Sequence, residues 1–347
     1  MFFKSISEEQ VRDALKTVKY PGFSRDIVSF GIVRDVSLDG RDVTVRIALA
    51  VNDAAIPQKI KTDTEAALRS LSGVGKVNVR IDIEAPPQTT GTGTTHIPGV
   101  RHVIAVASGK GGVGKSTVAA NLAAALSLQG ASVGLCDCDL YGPSIGLMFG
   151  VRERPAATDD NRIIPVERYG IRLMSMSFLL DDDSPAILRG PMVTRYTQQF
   201  LRQVDWGELD FLILDLPPGT GDIQLTIVQT VALAGAIIVT TPQEVALLDA
   251  RKAASMFQKV NVPILGLIEN MSFFLSPSDG KRHNIFGEGG GRREAARLGV
   301  PFLGEIPIDI PTRESGDRGQ PIVVAEALNP AAQALAAAAG ALHRELT

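Results

Sequence analysis

The spacing of apolar and polar positions changes character partway along the chain. Up to Ile83 the elements are apolar on one side only. A helix is predicted from about Glu8, where Ser7 and Gln10 have the spacing of a capping box. Two alternating runs follow, Ile27–Leu38 and Val43–Val51, separated by Asp39-Gly40, a strong hairpin signal. Pro57 opens a helical stretch to Leu71, and Val77–Ile83 alternates as a last strand. Helix, hairpin, helix, strand describes a small α+β domain, expected over residues 1–84.

Beyond Val100 the runs are short, continuous and apolar: Val103–Ala107, Ser132–Cys136, Phe211–Leu214, Ala236–Thr240 and Ile264–Ile268, with helical patterns between them. Strands buried on both faces read this way, so residues 100–347 are expected to form an α/β domain, a parallel sheet flanked by helices. Ligands of such sheets bind beyond the carboxyl ends of the strands. The last helix, Pro330 to about Leu346, is rich in alanine and weakly amphipathic. Ala85 to Thr95 collects proline, glycine and threonine with nothing to pack a core, and residues 85–99 are expected to be a flexible linker.

Composition narrows the function classes. A length of 347 residues suits two or three domains. Lys plus Arg is 35 against 38 Asp plus Glu, a net charge of −3, so no general affinity for nucleic acid or an anionic membrane is expected. No apolar run reaches the ~18 residues of a membrane span, and the start lacks the basic flank of a signal peptide. Two cysteines exclude a disulfide scaffold and fit a reducing cytosol, so a cytoplasmic location is expected.

Directly after the first of the apolar strands comes Gly109-Lys110-Gly111-Gly112-Val113-Gly114-Lys115-Ser116-Thr117, then a helix of alanines and leucines. This satisfies G-x-x-x-x-G-K-[ST] in its strand–loop–helix context, which points to a nucleotide such as ATP. Glycines let successive N–H groups turn inward on phosphate oxygens, where a side chain would collide. Lys115 would neutralise the β/γ-phosphates and the Ser116 hydroxyl would ligate Mg²⁺. Lys110, a second lysine in the loop, would sit beside the phosphates; a solvated turn residue is the plainer alternative.

The next strand ends in Cys136-Asp137-Cys138-Asp139, two acids suited to orienting magnesium's water and the attacking water, or to capping the following turn. Phe211-Leu212-Ile213-Leu214-Asp215 is four apolar residues and an acid, and Asp215 would hold Mg²⁺ through water. The Pro217-Pro218-Gly219 hinge follows, where the Gly219 amide would touch a γ-phosphate and so distinguish ATP from ADP. No Glu follows Asp215. Asn270, at another strand end, either hydrogen-bonds adenine through its amide or closes an Asx-turn.

The combination of Val100–Thr117, Asp137–Ser144, Arg189-Gly190-Pro191-Met192, Trp206–Asp222, Glu269–Ser272 and Ile306–Val323 resembles the Mrp/ApbC branch of P-loop ATPases. The loop form is that of the deviant Walker A class with MinD and ParA. The N-terminal part is similar to an iron–sulfur assembly domain. The resemblance covers nearly the whole chain and implies a slow, Mg²⁺-dependent, cytosolic homodimeric ATPase that carries [4Fe–4S] clusters to apo-proteins or works with their assembly factors. It implies a cross-subunit contact for Lys110, a water-positioning role for Asp139 with Asp137 in support, and an adenine pocket lined by the turn from Pro307 to Asp309. It also implies a C-P-x-C pair bridging the cluster across the dimer. Here the segment reads Phe274-Leu275-Ser276-Pro277-Ser278-Asp279, with Ser276 and Asp279 at the cysteine positions, and Ile56 stands where relatives of the small domain can carry a cysteine. Oxygen donors suit this soft chemistry poorly.

The remaining cysteines, Cys136 and Cys138, read as core packing, against the alternative of a nucleotide-gated thiol pair. His96, His102, His283 and His343 are scattered. Three functions compete: an iron–sulfur maturation ATPase, including an ATP-dependent adaptor that ligates no cluster; a MinD/ParA-like positioning ATPase, which the weakly amphipathic last helix and balanced charge disfavour; and a nucleotide-dependent interaction module with negligible turnover.

Overall fold

The computed structural model describes residues 6–21, 26–29, 32–49, 55–83, 95–158, 162–178 and 201–347. Its described residues fall into two compact units, one up to residue 83 and one from residue 95. The segment Arg189-Gly190-Pro191-Met192 and residues 84–94 lie outside the described residues.

In the first unit α1 (Glu8–Leu15) starts at the capping box: the Gln10 N–H donates to Ser7 Oγ at 3.3 Å and the Ser7 N–H to Gln10 Oε1 at 3.1 Å. β1 (Val33–Asp39) and β2 (Asp42–Leu49) form the antiparallel hairpin around Gly40, whose φ of +60° suits glycine. α2 (Ala55–Arg69) then returns the chain so that β3 (Val77–Ile83) pairs parallel with β2. The first strand starts at Val33, later than the alternation from Ile27 suggested. Asp26 accepts the N–H groups of Val28 and Ser29 at 3.0 and 2.8 Å, and that local turn holds the backbone out of a ladder.

The second unit is an eight-stranded sheet in the order β13-β10-β9-β4-β8-β5-β7-β6. β4 (Val100–Ala107) and β8 (Leu209–Asp215) are central neighbours, with β5 (Val133–Asp137) beyond β8 and β9 (Gly235–Thr240) and β10 (Ile264–Glu269) beyond β4. All pairs are parallel except β6 (Val166–Arg168) with β7 (Ile171–Met174). β13 is Phe302–Glu305 at the other edge. α3 (Lys115–Leu128) is buried along most of its length, as a helix apolar all round must be. α10 (Pro330–Leu346) turns Ala331, Leu335, Ala338 and Leu342 inward and packs beside it. Further helices among the described residues include α4 (Ile145–Met148), α5 (Asp222–Thr230), α6 (Glu244–Lys259), α7 (Gly290–Leu298), α8 (Ile310–Asp317) and α9 (Ile322–Ala325). A two-stranded hairpin, β11 (Phe274–Leu275) with β12 (Arg282–His283), follows β10.

The end of the expected linker belongs to this second unit. The Thr95 N–H donates to the Thr230 carbonyl at 2.9 Å, the Ala232 N–H donates to the Thr95 carbonyl at 3.1 Å, and Ile97 is buried. Flexibility over the whole of 85–99 is therefore corrected: residues 95–99 are tied down by backbone pairing and by burial of an isoleucine.

Candidate functional site

The phosphate loop leaves β4 at the carboxyl edge of the sheet. Gly112 and Gly114 have φ of +81° and +79°, a conformation a side chain would strain. Gly109 is required for space: a Cβ there would lie 2.0 Å from the Asp249 carbonyl oxygen. Gly114 caps α3 with no side-chain hydrogen bond. The first-turn N–H groups therefore lack a side-chain acceptor, and the positive end of the helix faces the loop. Asn270, buried at the end of β10, donates from Nδ2 to the Val113 carbonyl at 2.8 Å and so fixes the loop from the side. In this structure one N–H of that amide serves the loop, where the sequence offered adenine or an Asx-turn.

Asp215 ends β8 and is fully buried; its Oδ1 accepts from Lys115 Nζ at 2.5 Å. Burial pushes the Asp215 carboxyl up, and the Lys115 ammonium opposes that shift. The other oxygen, Oδ2, is buried with no hydrogen-bond partner among the described residues, an arrangement that costs about 1–3 kcal/mol until something occupies it. Ser116 lies beside Lys115, with Oγ 3.4 Å from Nζ. A hydroxyl and a carboxylate are the hard oxygen donors magnesium takes, so Ser116 and Asp215 fit that ion.

β5 places its two acids differently. Asp137 is buried and spends its oxygens on structure: Oδ2 accepts from the N–H groups of Ser144 and Ile145 and the Ser175 hydroxyl, and Oδ1 from the Asp139 N–H, all at 3.0–3.1 Å. Burial, helped by the Asp215 charge, raises its carboxyl to about 7. Asp139 is half-buried, accepts long bonds of 3.3 Å from the Tyr141 and Gly142 amides among the described residues, and lines a cavity of about 250 Å³. Lys110, Lys115, Ser116 and Pro218 share that cavity. A larger, mostly apolar cavity of about 450 Å³ has Gly114, Thr117 and Met148 in common with it and extends to Asn270, Met271, Pro307 and Asp309.

Gly219, with φ of +95°, does not present its amide to the phosphate cavity here: that N–H donates to the Ser108 carbonyl at 3.0 Å. Contact with a phosphate requires this bond to break. Gln224, one turn into α5, is buried, donates from Nε2 to the Pro217 carbonyl at 3.4 Å and leaves Oε1 unpaired among the described residues. The sequence reading gave no role to Gln224, nor to Ser108 and Met271 within the quoted segments. Ser108 and Gln224 act through backbone carbonyls, which no side-chain pattern records. Met271 has φ of +53°, which nothing about methionine announces.

Ser276 and Asp279 come together at the turn between β11 and β12. Asp279 Oδ1 accepts the Lys281 N–H at 3.1 Å, Oδ2 pairs with Lys281 Nζ at 3.2 Å, and Ser276 Oγ lies 2.9 Å from Ser278 Oγ. A hydrogen bond from Ser276, with those from Lys281, holds the Asp279 carboxyl below its usual range. Cys136 and Cys138 are buried free thiols with sulfurs 3.9 Å apart, and Ile56 is core at the start of α2.

The pattern of the NUBPL iron-transfer P-loop NTPases matches residues 99–343, and that of an iron–sulfur cluster assembly protein family matches residues 8–80. An iron–sulfur cluster carrier protein of Synechocystis is 43% identical over 96% of this chain and 96% of its own length. The iron–sulfur cluster transfer protein NUBPL of mouse is 51% identical over 66% of this chain and 73% of its own. Among solved structures, a nucleotide-binding protein of Archaeoglobus fulgidus in complex with ADP is 40% identical, with a TM-score of 0.59, covering 68% of this chain and 92% of that one. The septum site-determining protein MinD of Pyrococcus horikoshii with Mg-ADP is 25% identical, with a TM-score of 0.55, covering 71% and 97%.

Proposed function

Because this chain belongs to the NUBPL iron-transfer P-loop NTPases, we propose that it is a magnesium-dependent ATPase. On this reading it works as a cytosolic homodimer in the maturation of iron–sulfur proteins, on apo-protein clients or assembly factors. The observation that supports this best is the cavity of about 250 Å³ in which the glycine loop, Lys115, Ser116 and Asp139 converge. The loop amides and Lys115 bind the β- and γ-phosphates; to do so Lys115 leaves Asp215 for the phosphate, and its positive charge is not lost. Magnesium, when bound, supplies further neutralisation of the phosphate oxygens, and Ser116 and Asp215 are the residues to hold it. Asp139, with only two weak backbone donors to release, orients the attacking water. Lys110 reaches the nucleotide of the second subunit. Asn270 and Pro307 border the larger apolar cavity, which takes the adenine.

The Gly219 amide senses the γ-phosphate by exchanging the Ser108 carbonyl for it. That exchange pulls on the Pro217–Gly221 segment and on α5, and so alters the surface a client meets. A positioning role of the MinD kind has less support: the apolar side of α10 is already buried and so is not free to lie on a membrane surface.

The test is steady-state phosphate release by the purified full chain with MgATP. Hydrolysis that disappears in Asp139→Ala while ATP still binds supports this assignment. Hydrolysis unchanged in that variant, or absent from the wild type, would sink it.

A further inference from the structure

Iron–sulfur clusters are held by cysteine thiolates, with histidine replacing some of them in one class. This chain has two cysteines, and neither is placed to serve. Cys136 and Cys138 are 1% and 2% exposed where β5 ends. Cys138 N–H is tied to the Asp215 carbonyl at 2.9 Å and its Sγ lies 3.8 Å from the Cys136 carbonyl, so both are part of the packed floor of the nucleotide site. A second copy of the chain would add only the same two buried sulfurs. Histidine does not make up the difference. His102 and His343 pack on the Phe211 ring, at 5.6 and 5.5 Å between centroids, while His96 and His283 are exposed on different parts of the second unit, His283 being the single histidine near the β11–β12 turn. Among the described residues no three His, Cys, Asp or Glu side chains converge to hold a metal ion. The β11–β12 turn offers serine hydroxyls and a carboxylate already paired with Lys281, hard donors that match iron–sulfur chemistry poorly.

We propose that this chain ligates no iron–sulfur cluster: any cluster it helps to deliver stays in the thiolates of a second protein that bears accessible cysteines. This rests on the maturation reading above and specifies its partner. The chain then supplies the ATP-driven change of surface, and the donor and acceptor thiolates both belong to its partners.

The experiment is anaerobic incubation of the full chain with ferrous iron, sulfide and a thiol reductant, followed by desalting, iron and sulfide analysis and visible absorption. A Cys136→Ala/Cys138→Ala variant runs in parallel. The expected result is no charge-transfer band and iron at the level of a cluster-free control protein. A band with retained iron and sulfide in the wild type overturns the proposal, whatever the variant does. If the variant loses the cluster, the buried pair ligates it; if the variant keeps it, other donors do. The wild-type result decides even if the variant fails to fold. Phosphate release measured on the same wild-type sample separates the two claims. Retained iron with hydrolysis defeats the ligation claim alone, and no iron with no hydrolysis defeats the ATPase reading alone.

Discussion

The phosphate loop and the β11–β12 turn are both short loops beyond a strand of the same sheet, yet they carry chemistry in different currencies. The loop's binding groups are mainly backbone N–H, presented because Gly109, Gly112 and Gly114 have the room and the dihedrals to do so. The turn can bind a soft metal only through the side chains at its tip, and those are Ser276, Ser278 and Asp279. Backbone chemistry survives as long as the fold does. Side-chain chemistry can be lost by two substitutions that leave the fold intact, and here the hydroxyls and carboxylate have settled into bonds with each other and with Lys281.

The largest test of this contrast removes the buried lysine of the loop. Lys115→Ala should lower kcat/KM for MgATP by at least about 10²–10³-fold, the loss expected for a charge aimed at the transition state. It also strands Asp215, whose Oδ1 loses its cation. The matching change at the turn, Ser276→Ala with Asp279→Asn, should leave phosphate release within about two-fold of wild type, since bonds among exposed groups carry little. Equal losses in both would mean that the turn is part of the ATPase machinery.

Next in size is Asp139→Ala, expected to reduce kcat by about 10²-fold, the low end for a positioned acid–base group, with ATP affinity little changed. Asp137→Ala should behave otherwise. Asp137 holds the Ser144 and Ile145 amides and the Ser175 hydroxyl, so its loss should cost thermal stability first, by about 1–3 kcal/mol for the unpaired donors. A differential melt separates the two acids that the sequence could only place side by side.

How far these regions could be read in advance follows the same division. The strand–loop–helix around Gly109–Ser116 was legible because glycine spacing, strand and helix all had to coincide. The five parallel strands at the centre of the sheet were legible as continuous apolar runs. The antiparallel β6–β7 edge, three and four residues long, and the two-residue strands β11 and β12 are too short for periodicity to register. Contacts made by backbone carbonyls, Ser108 with Gly219 and Val113 with Asn270, leave no side-chain signature at the accepting end. They nevertheless fix the loop's shape, and the proposed switch would have to break the one between Ser108 and Gly219.

A gain of function sharpens the comparison with a smaller expected yield. Ser276→Cys with Asp279→Cys puts thiols where the family resemblance implies them. After the same anaerobic incubation this double variant should retain iron in excess of wild type. Sub-stoichiometric loading is expected, because Lys281, Arg282 and the neighbouring turn are arranged for oxygen partners. Loading no greater than wild type would mean that the fold around the turn, as well as its side chains, has left cluster chemistry behind.

The smallest effect is in the pH response, where the two regions should differ in sign. Asp137 is raised to about 7 by burial and by Asp215, whereas an unfolded aspartate ionises near 4. Between these values the folded chain holds a proton that the unfolded chain has lost. The Asp137 contribution to stability is therefore largest below about pH 4 and declines as pH rises to about 7. Asp279 is held below its ordinary value by Ser276 and Lys281. Its contribution is full above the ordinary aspartate range and is lost as pH falls through the lowered value. Denaturant midpoints of the nucleotide- and magnesium-free protein, wild type against Asp137→Asn, should converge as pH rises from about 5 to about 7. Amide-exchange protection at the β11–β12 turn, measured against the intrinsic rate at each pH, should fall only on the acid side, and Asp279→Asn should remove that dependence. The first trend reversed, or the second seen at neutral pH, would mean that the two carboxylates are not divided by burial as the contrast requires.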